Sequence, residues 1–390
     1  MSTTLKDEAA IVGIGQTEFS KNSGRSELQL ASEAVAAAIE DAGLRPSDID
    51  GMTTFSMDAN QEIEVARAVG IGNLTYFGRV EYGGGAAIGV MLQAAMAVAT
   101  GVADTVVVYR AFNERSGRRY STGIAEGIVT ADLIHWSWYL PFGLLTPASW
   151  VAMFTQRYMH EYGCKSRDLA EVAVTTRQHA VNNPNAWFYE RPLTVEDHQS
   201  SRMICEPLRL FDCCQESDGG AACVVTSIER ARDLPHRPAV IRGVAQAAGA
   251  DQENMTSFYR PSISHLPEMD LVAKQVYAMS GLGPDDIDAA ILYDAFTPIV
   301  LWQLESFGFC ARGEGKDFVM DGNLGVGGRL PTNTNGGQLS EAYIHGMNGI
   351  SEGVRLIRGD SCNQPEKNDH VLVTGGVGVP TRGMILGQLD

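Results

Sequence analysis

Two glycine runs stand where a backbone could hold negative charge. Gly83-Gly84-Gly85 precedes an alanine-rich stretch from Ala86 to Thr100, and Gly336-Gly337 precedes a second stretch reaching about Ile357. Glycines ahead of a helix let the chain approach a ligand and leave amide donors free at the helix N-terminus. Such donors suit an oxyanion or an enolate. Tight packing alone would explain either run, but two runs at matching places favour a shared purpose. Obvious nucleophiles and metal ligands are harder to find. The seven cysteines, Cys164, Cys205, Cys213, Cys214, Cys223, Cys310 and Cys362, are odd in number and show no C-x-x-C spacing, and the eight histidines form no H-E-x-x-H. Neither structural zinc nor another metal site is expected.

The elements that would position these residues come in two similar sets. GLRPSDID, Gly43 to Asp50, returns as GLGPDDID, Gly281 to Asp288. Before the first copy lie a short buried strand at Ile11 to Gly15 and a periodic helix from about Ser26 to Ala42. Before the second lie a strand at Ala239 to Val244 and a helix at Glu268 to Ser280. Each copy then leads into an extended segment, Gly51 to Phe55 or Ala289 to Tyr293. Strand, helix, turn and strand make a β-α-β unit with a parallel sheet. Each half continues through its glycine run and helix to a very apolar strand, Thr105 to Tyr109 or Val371 to Thr374. The expected organisation is a first half at 1–111, an inserted loop region at 112–235 and a second half at 236–390.

The bulk numbers narrow the function classes. With 44% hydrophobic and 20% charged residues, 390 residues can bury a large core. A net charge of −17 would repel nucleic acid. No apolar run is long enough to span a membrane and the N-terminus lacks the pattern of a signal peptide, so a soluble, cytoplasmic protein is expected.

LFDCCQESDGGAACVV, Leu210 to Val225, and GGRLPTNTNGGQLSEAYIHGMNG, Gly327 to Gly349, carry a resemblance. With the duplicated halves, they resemble the sterol-carrier-protein branch of the thiolase superfamily over almost the whole chain. The resemblance implies an α/β fold of five layers, α-β-α-β-α, with two sheets around a central pair of helices. It also implies a homodimer and acyl-CoA substrates.

The covalent residues of a thiolase are replaced here. The nucleophilic cysteine position falls at about Gly84, the histidine position at Tyr343, the second cysteine at Thr374, and the N-E-A-F stretch reads Tyr293-Asp294-Ala295-Phe296. An acyl-enzyme on a thiolate is therefore excluded. Two phenols have arrived instead. A phenol, with pKa about 10, can donate to an enolate or, as phenolate, take a hydroxyl proton. This departure is similar to that of the lipid-transfer-protein-type aldolases of bacterial sterol degradation. It implies a retro-aldol cleavage of 17-hydroxy-3-oxo-pregn-4-ene-20-carboxyl-CoA to androstenedione and propionyl-CoA. No cofactor beyond the substrate's own CoA is implied. The implied partner is the OB-fold, zinc-ribbon domain of the steroid enoyl-CoA hydratase, in a larger hetero-oligomer.

On this reading Tyr293 and Tyr343 form the acid/base pair, with Tyr343 at the enolate and Tyr293 at the hydroxyl, an order the sequence leaves open. Asp294 would orient or tune them, the amides at Gly84, Gly375 and Gly376 would hold the enolate oxygen, and His345 would line the substrate or serve as a base. Trp136, Trp138, Tyr139 and Phe142 are candidates for a steroid pocket or a plain packing contact. Arg115, Arg118 and Arg119 are candidates for CoA phosphates or a solvated loop. Cys213 and Cys214 sit where related thiolases have a structural stretch. The competing class is a lipid or acyl-CoA binding protein without catalysis.

Overall fold

The computed structural model describes residues 5–81, 83–117, 119, 137–250, 252, 258, 260–376, 378 and 381–389. Its first half runs β1 (Ala9–Gln16), α1 (Glu27–Asp41), β2 (Gly51–Phe55), α2 (Glu62–Val69), β3 (Tyr76–Val80), α3 (Ala86–Ala99) and β4 (Thr105–Asn113). After helices Pro147–Tyr162 and Ser166–Asn182 come a small hairpin of β5 (Met203–Cys205) and β6 (Leu208–Arg209), and then β7 (Asp218–Ser227). The second half holds β8 (Ala239–Ala247), helix Pro267–Ser280, β9 (Ala289–Ile291), helices Thr297–Ser306 and Met347–Arg358, β10 (His370–Gly375) and β11 (Thr381–Gly387).

The repeated octapeptide does the same work in both halves. Gly43 (φ +68°) and Gly281 (φ +77°) take the left-handed conformation that ends the preceding helix. Pro46 and Pro284 open single 3₁₀ turns, closed by Asp48 and Asp286, whose carboxylates accept from the N–H of Arg45 (2.9 Å) and Gly283 (2.8 Å). The last aspartate reaches across to a neighbouring strand. Asp50 accepts from the N–H of Asp104 and Thr105 at 3.0 and 2.8 Å, and Asp288 from Asp369 and His370 at 2.9 and 3.0 Å. Each copy thus pins the start of β4 or β10, whose far ends reach the site.

The strands are ordered β3-β2-β4-β7-β1-β8-β11-β10-β9. The two half-sheets meet edge to edge through two residue pairs, Ala10 with Val240 and Ile11 with Ala239. Side chains alternate between faces along each strand. Val106 and Val108 of β4 and Val371 and Val373 of β10 point into an inner core built on α3 and Met347–Arg358, while Val107 and Tyr109 face α1, and Leu372 faces Thr297–Ser306. Both central helices touch strands of both halves. Outer helices, sheet, inner helices, sheet and outer helices give the five layers.

Two expectations change. The stretch 112–235 is not wholly an insertion: its end supplies β7, which pairs with β4 and β1 in the middle of the first half-sheet. Fully buried Ala221, Ala222, Cys223, Val224 and Val225 explain why it returns. The second glycine run does not open the long helix either. Gly336 (φ +106°) and Gly337 (φ +57°), then His345 (φ +51°) and Gly346 (φ +88°), are left-handed, which a right-handed helix cannot contain. The helix starts only at Met347, so Gly346 is the counterpart of Gly83 to Gly85.

Candidate active site

The site is built where α3 begins and β9 and β10 end. Tyr293 follows β9, and its backbone is held on both sides. Its N–H donates to Thr374 Oγ1 at 2.9 Å, and its C=O accepts from Gln303 Nε2 at 2.8 Å. The Thr374 hydroxyl in turn donates to Gln303 Oε1. The residue standing at the second cysteine position therefore serves as a clamp. The ring of Tyr293 is 2% exposed and lies on Gly84. A Cβ at position 84 would fall 1.8 Å from Tyr293 Oη and 2.1 Å from Cζ, so phenol and side chain exclude each other there. A Cβ on Gly375 would fall 3.0 Å from the carbonyl oxygen of Gly84, which puts the two glycine loops in contact. Gly376 is left-handed at φ +105°.

Tyr343 comes from the extended stretch before Met347–Arg358. Its Oη lies 3.0 Å from Tyr293 Oη, and its N–H donates to Ser217 Oγ at 3.1 Å. Tyr343 is only partly buried, so the pair runs from a closed end to an open one. Burial raises both phenols well above the ordinary 10.

Asp294 faces away from this pair. Its carboxylate accepts from the N–H of Gln338 at 2.7 Å and Leu339 at 3.4 Å, inside the tight turn that leads to Tyr343. Burial pushes it up to about 7. Neighbouring residues of an extended chain point to opposite sides, so Tyr293 and Asp294 cannot both face the cleft. Asp294 joins the segment of one phenol to the turn before the other.

His345 is closer than a helical start would allow. Its ring stands edge-on to Tyr343 at 5.0 Å and stacks on Phe112 at 4.9 Å. Arg110 Nε donates to its Nδ1 at 3.2 Å, which puts the ring proton on Nε2, against Gly83. Burial and the Arg110 charge drive its pKa well below 6.5, which favours the neutral ring. Arg110 is itself 1% exposed and paired with Asp58 at 3.0 Å.

Other candidates lie apart. The Cys214 N–H donates to the carbonyl of Ala295 and Cys213 bridges to Phe296. Burial holds the Cys214 thiol well above 9, so this pair supports the Tyr293 segment as backbone. Arg115 and Arg119 meet Glu216 at 3.9 and 2.6 Å. Trp138 and Phe142 are 74% and 82% exposed, and Tyr139 sets its edge on Phe258. Trp136 and Arg118 lie outside the described residues. Sequence reasoning passed over Gln303, Ser217 and Arg110. Arginine inside the apolar run TVVVYRAF was a visible signal; the other two carried none.

The sequence matches the profile of "Thiolase, N-terminal domain" at residues 9–229 and that of "Thiolase C-terminal domain-like" at 249–388. It is 66% identical over 387 residues to a "Steroid side-chain-cleaving aldolase" of Thermomonospora curvata, covering 99% of each chain. It is 60% identical to a "17-hydroxy-3-oxo-4-pregnene-20-carboxyl-CoA lyase" of Mycobacterium tuberculosis, over 98% of this chain and 100% of the other. A solved "Ltp2-ChsH2(DUF35) aldolase" superposes with a TM-score of 0.95 at 66% identity, covering 99% of both chains. An acetyl-CoA acetyltransferase of Methanothermobacter thermautotrophicus reaches only 29% identity, over 95% of this chain and 96% of the other. With both thiolase halves matched and two steroid-cleaving lyases aligned from end to end, the chain belongs to the thiolase superfamily, beside the steroid side-chain aldolases.

Proposed function

We propose that this chain is a retro-aldolase that cleaves 17-hydroxy-3-oxo-pregn-4-ene-20-carboxyl-CoA to androstenedione and propionyl-CoA. The observation that carries this reading is the phenol pair, 3.0 Å from oxygen to oxygen, set on the ground where a thiolase has sulfur and imidazole. The relatives named for steroid side-chain cleavage support the same substrate.

Because burial disfavours a standing phenolate, the pair works best as a relay without net charge. The bond that breaks joins the hydroxyl-bearing carbon to the α carbon of the thioester. The substrate's hydroxyl proton passes to Tyr293 Oη, the Tyr293 proton to Tyr343, and the Tyr343 proton to the α carbon. The O–H electron pair becomes the second C–O bond of the ketone. The C–C pair passes through the thioester enolate into the new C–H bond. One proton leaves the hydroxyl and one arrives at carbon, both tyrosines are restored, and nothing is oxidised. No cofactor beyond the substrate's CoA is required. Amides at Gly84, Gly375 and Gly376 hold the enolate oxygen, each such donor being worth about 3 kcal/mol. Neutral His345 lines the cleft, and Asp294 keeps the two tyrosine segments in register.

The active form is read as a cytoplasmic homodimer within a larger assembly, completed by the OB-fold, zinc-ribbon domain of the steroid enoyl-CoA hydratase. The relative solved as an "Ltp2-ChsH2(DUF35) aldolase" supports a second chain of that kind. Among the described residues no helix is long and apolar enough to cross a membrane. The test is to co-express the chain with that partner and follow propionyl-CoA release by wild type, Tyr293→Phe and Tyr343→Phe. Each variant should lose about 10²–10⁴-fold in rate while still folded. Near-wild-type rates in both would overturn the assignment and favour a carrier that does no chemistry.

A further inference from the structure

Glu114 stands just past β4, and no step above uses it. Alternation along β4 turns Val106, Val108 and Phe112 to the inner core, so Arg110 and Glu114 share that face. On it, Arg110 and Phe112 both meet His345, which stands edge-on to Tyr343. Ser217 adjoins both groups: its hydroxyl accepts from Tyr343 N–H, and its backbone N–H is near enough to the Glu114 carboxyl to favour, by a smaller effect than burial, the charged form. Strand geometry and the Ser217 bridge therefore bring Glu114 to the open end of the phenol pair.

The side chain is 3% exposed, and its buried Oε2 has no hydrogen-bond partner among the described residues. A buried polar atom left unmatched calls for a partner, an ordered water or a ligand group. Two cations lie near it: Arg110 is paired with Asp58 at 3.0 Å, and Lys21 is held by Gln215 Oε1 and the carbonyl of Glu216, at 2.6 Å each. Burial first, and Glu216 second, raise the Glu114 carboxyl well above its usual range, which favours the neutral acid. A negative charge there would push both phenols still higher and would repel an enolate. A neutral carboxyl has an O–H to give.

The substrate presents two oxygens at the reacting centre. Its hydroxyl oxygen must lose a proton, and Tyr293 takes it. Its thioester oxygen gains charge as the bond breaks, and rewards a donor there. We propose that Glu114 is a further catalytic residue, whose carboxyl O–H donates to the thioester oxygen as the enolate forms. This rests on the aldolase reading and adds a donor to its cradle.

Glu114→Ala and Glu114→Gln, made in the full complex, test it. The amide of glutamine keeps a donor of similar reach but cannot act as a base. Glu114→Ala should lower kcat by about 100-fold or more with KM little changed, and Glu114→Gln should stay within about tenfold of wild type. Unchanged activity in Glu114→Ala overturns the proposal. So does a Glu114→Gln protein, folded by circular dichroism, that is as slow as Glu114→Ala, because the carboxylate would then be the working form. A wild-type complex that releases no propionyl-CoA sinks the aldolase reading itself, a result distinct from failure of the Glu114 variants alone.

Discussion

Replacing Gly84 by alanine should disable the enzyme without adding or removing any polar group. The new Cβ would lie 1.8 Å from Tyr293 Oη, 2.1 Å from Cζ and 2.6 Å from Cε2. Ordinary carbon contacts begin near 3.4 Å, so the phenol must retreat by about 1.6 Å, the difference between 3.4 and 1.8. The Tyr293 backbone cannot follow, because Gln303 and Thr374 hold its C=O and N–H. The ring must turn instead, in a site where it is 2% exposed. Overpacking of this kind costs about 1–3 kcal/mol of stability. It also breaks the 3.0 Å contact with Tyr343, so the rate should fall by about 10²–10⁴-fold. Thermal unfolding and propionyl-CoA release measure the two losses. Adding Tyr293→Ala should recover the stability lost to Gly84→Ala, with a coupling of about 0.5–3 kcal/mol, and recover no activity. A Gly84→Ala enzyme with normal turnover would refute both the placement of the ring and its use.

Three further outcomes follow from the residues behind the site. Gln303→Leu leaves the Thr374 hydroxyl and the Tyr293 carbonyl without their buried partner, and should cost about 1–3 kcal/mol in denaturant titration together with a lower kcat; an unchanged midpoint would dismiss the clamp. Asp294 is pushed up to about 7 in the folded chain, against about 3.9 when unfolded, so the fold binds its proton more tightly. Its contribution is full below about pH 4 and is lost as pH rises to about 7. Melting temperatures from pH 4 to 8 should therefore fall less in Asp294→Asn than in wild type, and an identical slope would count against the shift. Arg110→Met strands the buried carboxylate of Asp58 and should cost about 3–5 kcal/mol, read by calorimetry; a loss below 1 kcal/mol would mean that the pair is not dry.

The halves were legible because their signals are local. A left-handed glycine, a proline opening a turn and an aspartate closing it are each set by neighbours in the chain, so GLRPSDID and GLGPDDID announced the same β-α-β unit twice. Other features were legible only through the resemblance, since nothing near Tyr293 or Tyr343 says that two phenols fifty positions apart will meet. The direction of Asp294 escaped because it depends on which face of an extended segment a distant turn covers. The start of Met347–Arg358 escaped for a related reason: His345 adopts φ +51°, a conformation no pattern of apolar residues encodes. Strand β7 was hidden by small residues, whose sequence reads as loop but whose burial is complete.

The exchange of side chains at Gly84 and Tyr293 also bears on how such a cleft changes chemistry. Because a side chain at 84 and a phenol at 293 compete for the same space, a cysteine nucleophile and this tyrosine pair are alternatives rather than additions. Acyl transfer needs an atom that bonds to the substrate, whereas a retro-aldol step needs only protons moved and an enolate held. In the reading proposed above, the glycine loops at Gly84 and Gly375 hold an oxyanion in either case, so the scaffold need not move when the nucleophile is removed. Restoring Gly84→Cys alone should therefore yield neither activity: the thiol would have to displace the ring that now lies 1.8 Å from its Cβ, and the relay would be lost before a thiolate formed. Mass spectrometry of that variant with an acyl-CoA should detect no acyl adduct, and a stoichiometric adduct would show that the cavity is roomier than the packing of Tyr293 against Gly84 allows.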